Sequence, residues 1–435
     1  MTVTDRWSLH ASLIAVAAVV IGVTAGAVAV ERSRVLAPDR PATAPSTPAP
    51  AGTFDRLDGQ LQRVARIVSE VRGLDFEQVP RPTYLTPDQL AARARALVDE
   101  YTEEEAEADR RILVALRAIP PGTDLREMLA TALGEQVAGF YDKRTRDLVV
   151  RAGHGEQLGP LDEVTLAHEL EHALVDQVLG LPFSDRDPGP GEEDAAFAAS
   201  ALVEGDATLT MIRYAERALT PEQHVELLAE QARLAAEIGD LTDLPHIVQR
   251  SLSFPYEEGL AFVVHLWDID GFAAVNGAYR RLPTTTLQIL VPERYVGQEG
   301  DAADPRDVAD LPAPWTRHTS LAVGAADLLF LFEAPGDDPT QALDDPRGAA
   351  TRWRGGEVVL FSDGDRSAVA MALEGETGLC AAVGEWYAAA FGPGRGSQAR
   401  MEFEAPTQDA VVTCEGPEVR LGIGPDLATA AALAA

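Results

Sequence analysis

The stretch Thr165–Val178, with the sequence TLAHELEHALVDQV, contains the pattern His-Glu-x-x-His within an apolar helical repeat. Two histidines four positions apart, His168 and His172, lie on one face of an α-helix about one turn from each other, so both imidazoles can reach one metal ion. Glu169 projects near the same face, where a carboxylate can activate a metal-bound water. The stretch therefore predicts a helix that carries a metal centre.

The residues that flank this pattern favour a helix of limited length. Pro160–Glu163 is typical of a first helical turn, because its acids face the positive end of the helix dipole. Gly180 and Pro182 are typical of a helix stop. Four small or branched residues form an apolar stripe that can be buried: Leu166, Leu170, Ala173 and Leu174. The alternative interpretation is a core helix whose two histidines are satisfied by hydrogen bonds alone.

A catalytic zinc usually has three protein ligands, which leaves one position for water. The remaining histidines do not repeat the spacing: His10, His154, His224, His246, His265 and His318. Glu204 is the better candidate, because it lies within Ala195–Met211, an Ala-rich stretch that predicts a largely buried helix. A carboxylate among small apolar residues is costly unless a cation offsets it. The alternative is a glutamate that faces solvent.

Gly205, next to this glutamate, lowers the stability of a helix. That cost is understandable if another backbone or the metal site approaches closely at this position. Glu192 and Glu193 are weaker ligand candidates, because they lie in the Pro-, Gly- and Asp-rich segment Pro182–Asp194, which we expect to be a solvated loop.

Together these residues make the chain resemble the gluzincin-type zinc metallopeptidases, in which His-Glu-x-x-His lies on one helix and a glutamate ligand on the next. The resemblance implies that Glu169 is the catalytic base. It also implies three ligands for Zn²⁺: His168, His172 and Glu204. The chain departs from that family at Thr208, where an aspartate often follows the glutamate ligand by four residues and supports the first histidine.

Asp206 lies about 200° around the helix from the glutamate ligand, so it cannot simply replace that aspartate. In its layout the chain is similar to a group of poorly characterised bacterial metallopeptidases that are membrane-anchored or secreted. The similar segments are Val137–Asp142, Val203–Ala207 and Phe254–Tyr256, and the likeness extends over roughly residues 85–300.

Two short β-prone runs, Glu135–Tyr141 and Leu148–Arg151, flank the polar segment Asp142–Asp147 and predict a hairpin before the metal helix. An edge strand there can bind an extended peptide by adding it to the sheet. A hairpin that only packs against the helices is the alternative, and the two interpretations are compatible.

A zinc centre of this kind implies a mechanism for peptide hydrolysis. Zinc polarises the scissile carbonyl and lowers the pKa of its water toward ~7, and Glu169 takes a proton from this water and passes it to the leaving amine. The developing oxyanion needs a further donor. Candidates for this donor or for substrate contact are Tyr256, Tyr141 and His265, with His224 and Arg213 also conceivable. Tyr256 lies in Ser253–Gly259, where proline and glycine predict a shaped loop or a helix start; a tyrosine that only packs is the alternative.

Residues 1–34 predict a membrane segment. Ala11–Val30 contains no charged residue and is long enough to span a bilayer. Ala27-Val28-Ala29 resembles a signal-peptidase site, so secretion after cleavage is the alternative to a retained single-pass anchor. In both cases we expect the bulk of the chain outside the cytoplasm, with residues 35–52 as a Pro- and Ala-rich linker.

The expected fold class is α+β. Residues 53–312 are predicted to form a mostly α-helical, zincin-like metallopeptidase domain with a small β-hairpin, and residues 313–435 a smaller α+β accessory domain. Helical periodicity predicts these helices: Phe54–Arg72, Pro221–Ile238, Leu260–Trp267, Phe272–Tyr279 and Thr377–Phe391. Strands are predicted over Glu357–Phe361, Ser367–Ala372, Val411–Cys414 and Val419–Ile423.

The chain contains two cysteines, Cys380 and Cys414. They form either a disulfide in an oxidising compartment or two buried thiols.

The formal net charge of -33 argues against binding to nucleic acid or to anionic membranes through bulk charge. The expected function is that of an extracytoplasmic zinc metalloendopeptidase that acts on a protein or peptide substrate and contacts the membrane through its N-terminal segment. The alternative is an anchored, peptidase-like binding or assembly protein without turnover. The intact set of site residues favours the enzyme, because a non-catalytic protein has no need of Glu169. The sequence does not identify the substrate or the oligomeric state.

Overall fold

A computed structural model gives the fold of residues 53–98, 101–136, 139–151, 158–184, 188–237, 244–300, 302 and 307–435. The predicted membrane segment and linker, residues 1–34 and 35–52, lie outside these described residues. The predicted α+β class is confirmed, because long helices and two β-sheets are both present.

The first part of the chain is mainly helical. Its helices are α1 (Thr53–Arg72), α2 (Pro87–Val98), α3 (Glu103–Ala115), α4 (Leu125–Gln136), α5 (Pro160–Val178), α6 (Glu193–Ala218), α7 (Pro221–Glu237), α8 (His246–Arg280), α9 (Thr286–Leu290) and α10 (Pro292–Val296). The strands of a small sheet are β1 (Thr83–Leu85), β2 (Gly139–Asp142) and β3 (Asp147–Arg151). Strand β3 lies in the middle, parallel to β1 and antiparallel to β2, so β2 is an edge strand.

The predicted hairpin before the metal helix is therefore confirmed, with one correction. Glu135 and Gln136 belong to α4 and not to the first strand, which begins at Gly139. These two residues continue the preceding helix, because tertiary context routinely overrides a local preference for strand.

The second part of the chain is built on a larger sheet. Its strands are β4 (Thr316–Ala322), β5 (Trp353–Asp363), β6 (Arg366–Gly375), β7 (Arg395–Ser397), β8 (Arg400–Glu404), β9 (Asp409–Glu415) and β10 (Glu418–Gly424). They pair antiparallel in the order β4-β5-β6-β10-β9-β8-β7. The helices of this part are α11 (Ala325–Glu333), α12 (Pro346–Ala350), α13 (Leu379–Phe391) and α14 (Leu427–Leu433). The predicted strands are confirmed as parts of β5, β6, β9 and β10, and the predicted helix as α13.

Cys380 on α13 and Cys414 on β9 are joined by a disulfide. Of the two alternatives that the sequence leaves open, the structure therefore contains the crosslink, which ties a helix to the sheet beside it.

One continuous apolar core extends through both parts of the chain. Phe197 of α6, Phe254 of α8 and Phe330 of α11 form an aromatic cluster at its centre, with ring centroids 5.0, 5.6 and 6.4 Å apart. The first helix of the second part thus packs directly on two helices of the first. The boundary between residues 312 and 313 stays a prediction.

Helices α6 and α8 cross at two glycines. A Cβ atom at Gly205 would lie 2.2 Å from the carbonyl oxygen of Gly259, and one at Gly259 would lie 2.1 Å from the carbonyl oxygen of Ala201. Neither position has room for a side chain, so the two backbones touch. This confirms the prediction that Gly205 marks the close approach of another backbone.

Helix α8 is longer than the sequence indicates. The predicted helices Leu260–Trp267 and Phe272–Tyr279 belong to one helical run, interrupted only at Asp270 and Gly271. Ser253–Gly259, for which a loop or helix start is predicted, lies inside α8, so this prediction is wrong. Proline removes a backbone hydrogen bond from the helix. The burial of the large aromatic side chains on either side of it offsets this cost.

The segment Pro182–Asp194 also differs from its prediction. Glu193 and Asp194 are not solvated, because they are buried in the first turn of α6. Glu193 accepts a hydrogen bond from the backbone of Ala322 at 3.1 Å, and Asp194 accepts one from the Thr286 hydroxyl at 2.5 Å. The two acids join the start of α6 to later parts of the chain instead of facing water.

Asp194 is expected to make folding stability depend on pH. Burial raises the pKa of its carboxyl to about 7 against the opposing hydrogen bond from Thr286, whereas an unfolded aspartate titrates near ~3.9. Between these values the folded state holds a proton that the unfolded state has released, so this contribution to stability falls as pH rises from about 4 to about 7. The free energy of unfolding, measured in urea, should therefore decrease less over this pH range in Asp194→Asn than in the wild type.

The control for this measurement is Asp426→Asn at the start of α14. Asp426 is exposed, and its pKa is lowered by the hydrogen bond from the Thr429 backbone, so its contribution is lost as pH falls. Parallel pH dependences in the wild type and Asp194→Asn would contradict the prediction.

Among the described residues, one helix is long and apolar enough to cross a membrane, and it is α6. Of its most apolar window, 83% is buried inside the protein, so α6 is the central core helix of this fold. The N-terminal segment predicted to be the anchor is not among the described residues.

Candidate metal centre

Helix α5 presents the His-Glu-x-x-His pattern as the sequence predicts. Pro160 occupies its first turn, and the carboxylate of Asp162 accepts a hydrogen bond from the Gly159 backbone at 3.0 Å. The helix ends before Gly180, whose φ of +81° favours glycine. The start and stop signals read from the sequence are therefore the ones that bound this helix.

Three side chains from two helices converge on one point. The Nε2 atoms of His168 and His172 lie 3.1 Å apart, and the Oε2 atom of Glu204 lies 3.2 and 3.5 Å from them, respectively. Zinc bonds to imidazole nitrogen and carboxylate oxygen are about 2.0–2.2 Å long, so the edge of a zinc tetrahedron is about 3.3–3.6 Å. The triangle of donor atoms thus has nearly the size that a tetrahedral ion requires.

The three residues are also shielded from water, with exposures of 1% for His168, 5% for His172 and 8% for Glu204. Within the described part of the chain they are the only group of three metal-binding side chains with donor atoms this close together. The structure therefore brings together all three residues predicted to be ligands in a group that could hold a metal ion.

The charges of the group fit a bound cation. Burial alone would raise the pKa of Glu204, but His172 and His168 outweigh it and lower this pKa to about 2. Burial lowers the pKa of His168. Burial also acts to lower the pKa of His172, but the neighbouring carboxylates outweigh it and raise this pKa to about 10. A proton on His172 thus offsets the charge of the buried Glu204 carboxylate, and a divalent cation bound by the same atoms would take the place of this proton.

Glu169 lies beside this triangle and is completely buried. Neither of its carboxylate oxygens forms a well-aligned hydrogen bond to a described residue. Burial raises the pKa of Glu169 to about 8, although His172 and the backbone of Tyr141 act to lower it. A buried carboxyl group with a pKa of about 8 can exchange a proton near neutral pH.

Tyr256, one of the predicted oxyanion donors, lies at the site. It is buried on α8, and its ring is stacked on that of His168 with centroids 6.2 Å apart. Its hydroxyl forms a hydrogen bond with Glu204, and burial raises its pKa well above the ordinary value, so the hydroxyl keeps its proton. Tyr256 therefore brings an O–H donor to the edge of the ligand triangle.

The other two predicted donors do not direct their side chains to the ligands. The hydroxyl of Tyr141 donates to Asp176 at 2.9 Å, farther along α5. His265 lies nine residues after Tyr256 on the same helix, which is about 13 Å away and half a turn around the axis. The backbone of Tyr141, and not its side chain, contacts Glu169.

Strand β2 borders the site, and it is an edge strand of its sheet among the described residues. A Cβ atom at Gly139 would lie 3.9 Å from Cγ of Glu169, so the strand and the carboxylate are neighbours. Residues of β2 pair with β3 on one side only, as in Tyr141 opposite Leu148. The edge strand predicted to receive an extended peptide thus lies next to the predicted base.

The sequence missed the polar residues that surround the ligands. Thr208, which stands where gluzincins often have an aspartate, is buried with no hydrogen-bond partner for its hydroxyl among the described residues. Asp206 instead forms a salt bridge with Arg72, 2.9 Å away, and Glu171 binds the same arginine at 3.1 Å. The sequence contains one indication of these partners. Glu171 is a charged residue on a helix that is predicted to be buried, so it needs a polar partner in the core.

Comparison of the chain with protein-family models, with curated proteins and with solved structures found no match in any of the three.

Proposed function

We propose that the protein is a zinc-dependent metalloendopeptidase of the gluzincin type, with His168, His172 and Glu204 as ligands and Glu169 as the general base. The observation that carries the proposal is the triangle of donor atoms, with sides of 3.1, 3.2 and 3.5 Å. Two neutral nitrogens and one carboxylate oxygen are the donor set that zinc has in catalytic sites of the thermolysin kind.

In such a site zinc supplies an electrophile that acidifies water and polarises the scissile carbonyl. Glu169 accepts a proton as the water oxygen attacks the carbonyl carbon. It then delivers this proton to the amide nitrogen, the C–N bond breaks, and an amine and a carboxylic acid leave. No side chain of the described residues donates a hydrogen bond to Glu169, which supports this role because an oxygen stays available for the proton.

Two neighbouring features provide the rest of the proposed site. Tyr256 keeps its hydroxyl proton and can donate it to the oxyanion that forms on the carbonyl oxygen. The free edge of β2 can bind the substrate backbone as an additional strand. Both features favour a peptide over a small, compact substrate.

The proposed location is outside the cytoplasm. The disulfide between Cys380 and Cys414 supports it, because such crosslinks persist in oxidising compartments. The apolar stretch Ala11–Val30 provides the segment for export or anchoring.

A second candidate is a peptidase-like binding or assembly protein that holds the metal without turnover. The burial of the site favours it, since Glu169 is fully inaccessible in this structure and a substrate must reach it. Turnover and metal binding therefore have to be measured separately.

The proposal predicts that the purified full-length protein binds one zinc ion per chain and cleaves an unstructured protein such as casein. Chelation should abolish cleavage, and added zinc should restore it. His172→Ala should remove the ion together with the activity, because two remaining ligands hold zinc weakly. The matched control is His318→Ala on β4, a histidine to which no role in the site is assigned. Metal analysis that finds no zinc, or cleavage that survives chelation, would refute the proposal.

A further inference from the structure

A buried arginine lies behind the metal centre. Arg72 ends α1, and its side chain is inaccessible to solvent. Its Nε donates to Glu171 Oε1 at 3.1 Å, and its Nη2 donates to Asp206 Oδ2 and to Asn276 Oδ1, both at 2.9 Å. The guanidinium also lies 4.4 Å above the centre of the Phe272 ring. One side chain thus joins α1 to α5, α6 and α8.

Both carboxylates bound by Arg72 are close in sequence to proposed ligands. Glu171 immediately precedes His172 on α5, and Asp206 follows Glu204 by two residues on α6. The guanidinium therefore connects the two helices at the level where their ligands must meet.

Stability alone is a poor explanation for this group. Removing an arginine and two carboxylates from water is costly, and apolar residues of similar size often stabilise a core as well or better. The Tyr279 hydroxyl donates a further hydrogen bond to Asp206 at 3.1 Å. Together with the bonds from Arg72, it holds Glu171 and Asp206 in defined positions. A buried charged group with fixed geometry is better explained by what it orients.

Glu171 is oriented toward His172. Its Oε1 atom binds Arg72, and its Oε2 atom lies 3.7 Å from Nδ1 of His172. Nδ1 of His172 has no hydrogen-bond partner among the described residues, and Oε2 of Glu171 accepts no hydrogen bond from an N–H group or a hydroxyl there, although Glu171 also interacts with Asp206. Nε2 of the same ring faces the ligand triangle. A movement of less than ~1 Å would bring Oε2 and Nδ1 within hydrogen-bond distance.

We propose that Arg72, acting through Glu171, is a positioning residue for His172. In this arrangement the Nδ1–H group of His172 donates a hydrogen bond to Glu171, which leaves the lone pair of Nε2 toward the ion. Arg72 holds Glu171 in place and, through Asp206, holds α6 in register with α5. Histidine ligands commonly donate their second N–H to a carboxylate in this way, and such partners affect metal affinity strongly. This inference rests on the proposed function, since it needs the ion at that triangle.

A second salt bridge between the same two helices serves as a control for a purely structural role of Arg72. Arg63 of α1 forms a salt bridge with Glu163 of α5, and Glu163 also accepts from the Tyr214 hydroxyl at 3.0 Å. This second pair also joins α1 to α5, but it lies at the start of α5, away from the ligands. Arg63→Met therefore removes a bridge between the helices without touching His172.

The experiment measures zinc affinity of the full-length protein by competition with a chromogenic chelator. We expect Glu171→Gln and Arg72→Met to weaken zinc binding by about 10–100-fold and Arg63→Met to change it less than about 2-fold. The zinc affinity of Arg72→Lys should lie between those of the wild type and Arg72→Met, because an ammonium group keeps the charge but lacks the forked guanidinium that binds two acids. The absorption of the Co²⁺-loaded protein should change in Glu171→Gln and stay unchanged in Arg63→Met. Urea unfolding of the chelated proteins reports the structural effect of each variant separately.

Wild-type affinity in Glu171→Gln, or equal weakening by Arg63→Met and Arg72→Met, would overturn the inference. If Arg72→Met does not fold, Glu171→Gln decides, because glutamine keeps the side-chain volume but has one acceptor oxygen for two donors. A wild-type protein that binds no zinc would instead refute the proposed function, so the two failures are distinguishable.

Discussion

Glu169→Gln is expected to retain zinc and to lower kcat/KM for peptide cleavage by about 10³-fold. The amide has nearly the shape of the carboxylate, and Glu169 is not one of the proposed ligands, so the ion should stay bound. Glutamine cannot accept the proton that the attacking water must lose, and the amine therefore leaves without its proton donor. Metal analysis and steady-state kinetics on the same preparation test both halves of this expectation.

The control variant is Glu163→Gln, which changes another buried glutamate of the same helix. Glu163 binds Arg63 and Tyr214 and makes no contact with the ligand triangle. This variant should cleave at a rate close to that of the wild type. Equal activity in Glu169→Gln and the wild type would exclude Glu169 as the base. Zinc bound without cleavage in every protein, the wild type included, would favour the non-catalytic alternative.

The second large effect is expected at the crossing of α6 and α8. Replacing glycine with alanine inside a helix normally stabilises it by about 1 kcal/mol. At Gly205 the new methyl group would lie 2.2 Å from the carbonyl oxygen of Gly259, and only a shift of backbone can relieve this contact. We therefore expect Gly205→Ala to destabilise the fold by about 3 kcal/mol or more, because overpacking against a rigid neighbour is costly.

The same displacement should disturb the metal centre, because Gly205 is adjacent to Glu204 and α8 carries Tyr256. Gly277→Ala is the matched control. Gly277 lies inside α8, and a Cβ atom there would have no neighbour within 4 Å among the described residues, so alanine should stabilise by about 1 kcal/mol. Urea unfolding of the two variants tests the expected reversal of sign. Gly205→Ala with the stability of Gly277→Ala would contradict the close contact of the helices.

The three residues of the candidate metal-binding group could be predicted from the sequence because each of them leaves a local signature. The spacing of His168 and His172 fixes their common face on any α-helix. The cost of a carboxylate in an Ala-rich stretch indicates that Glu204 has a charged partner. The cost of glycine in a helix indicates a close approach at Gly205. Each of these signals lies in the residue itself and in its close neighbours in the chain.

The polar surroundings of the site could not be predicted in this way. Arg72 is 99 residues from Glu171 and 134 from Asp206, and nothing in the local sequence indicates which acids an arginine will meet. Helical periodicity shows which positions are buried but not which partners they have there. For the same reason, the acids that open α6 were wrongly assigned to a solvated loop, since their partners lie far along the chain.

If the chain is exported as proposed, the composition of helix α6 affects how the unfolded chain passes the membrane. The stretch Glu193–Ala218 is long and apolar enough to be mistaken for a membrane span by translocation machinery that examines the chain before it folds. Glu204 and Asp206 lie at the middle of this stretch, where an acidic residue such as aspartate raises the free energy of insertion by about 2.5–3.5 kcal/mol. The two acids would therefore oppose lateral release of α6 into lipid, so that the stretch can complete its passage and fold into the core beside the candidate metal centre.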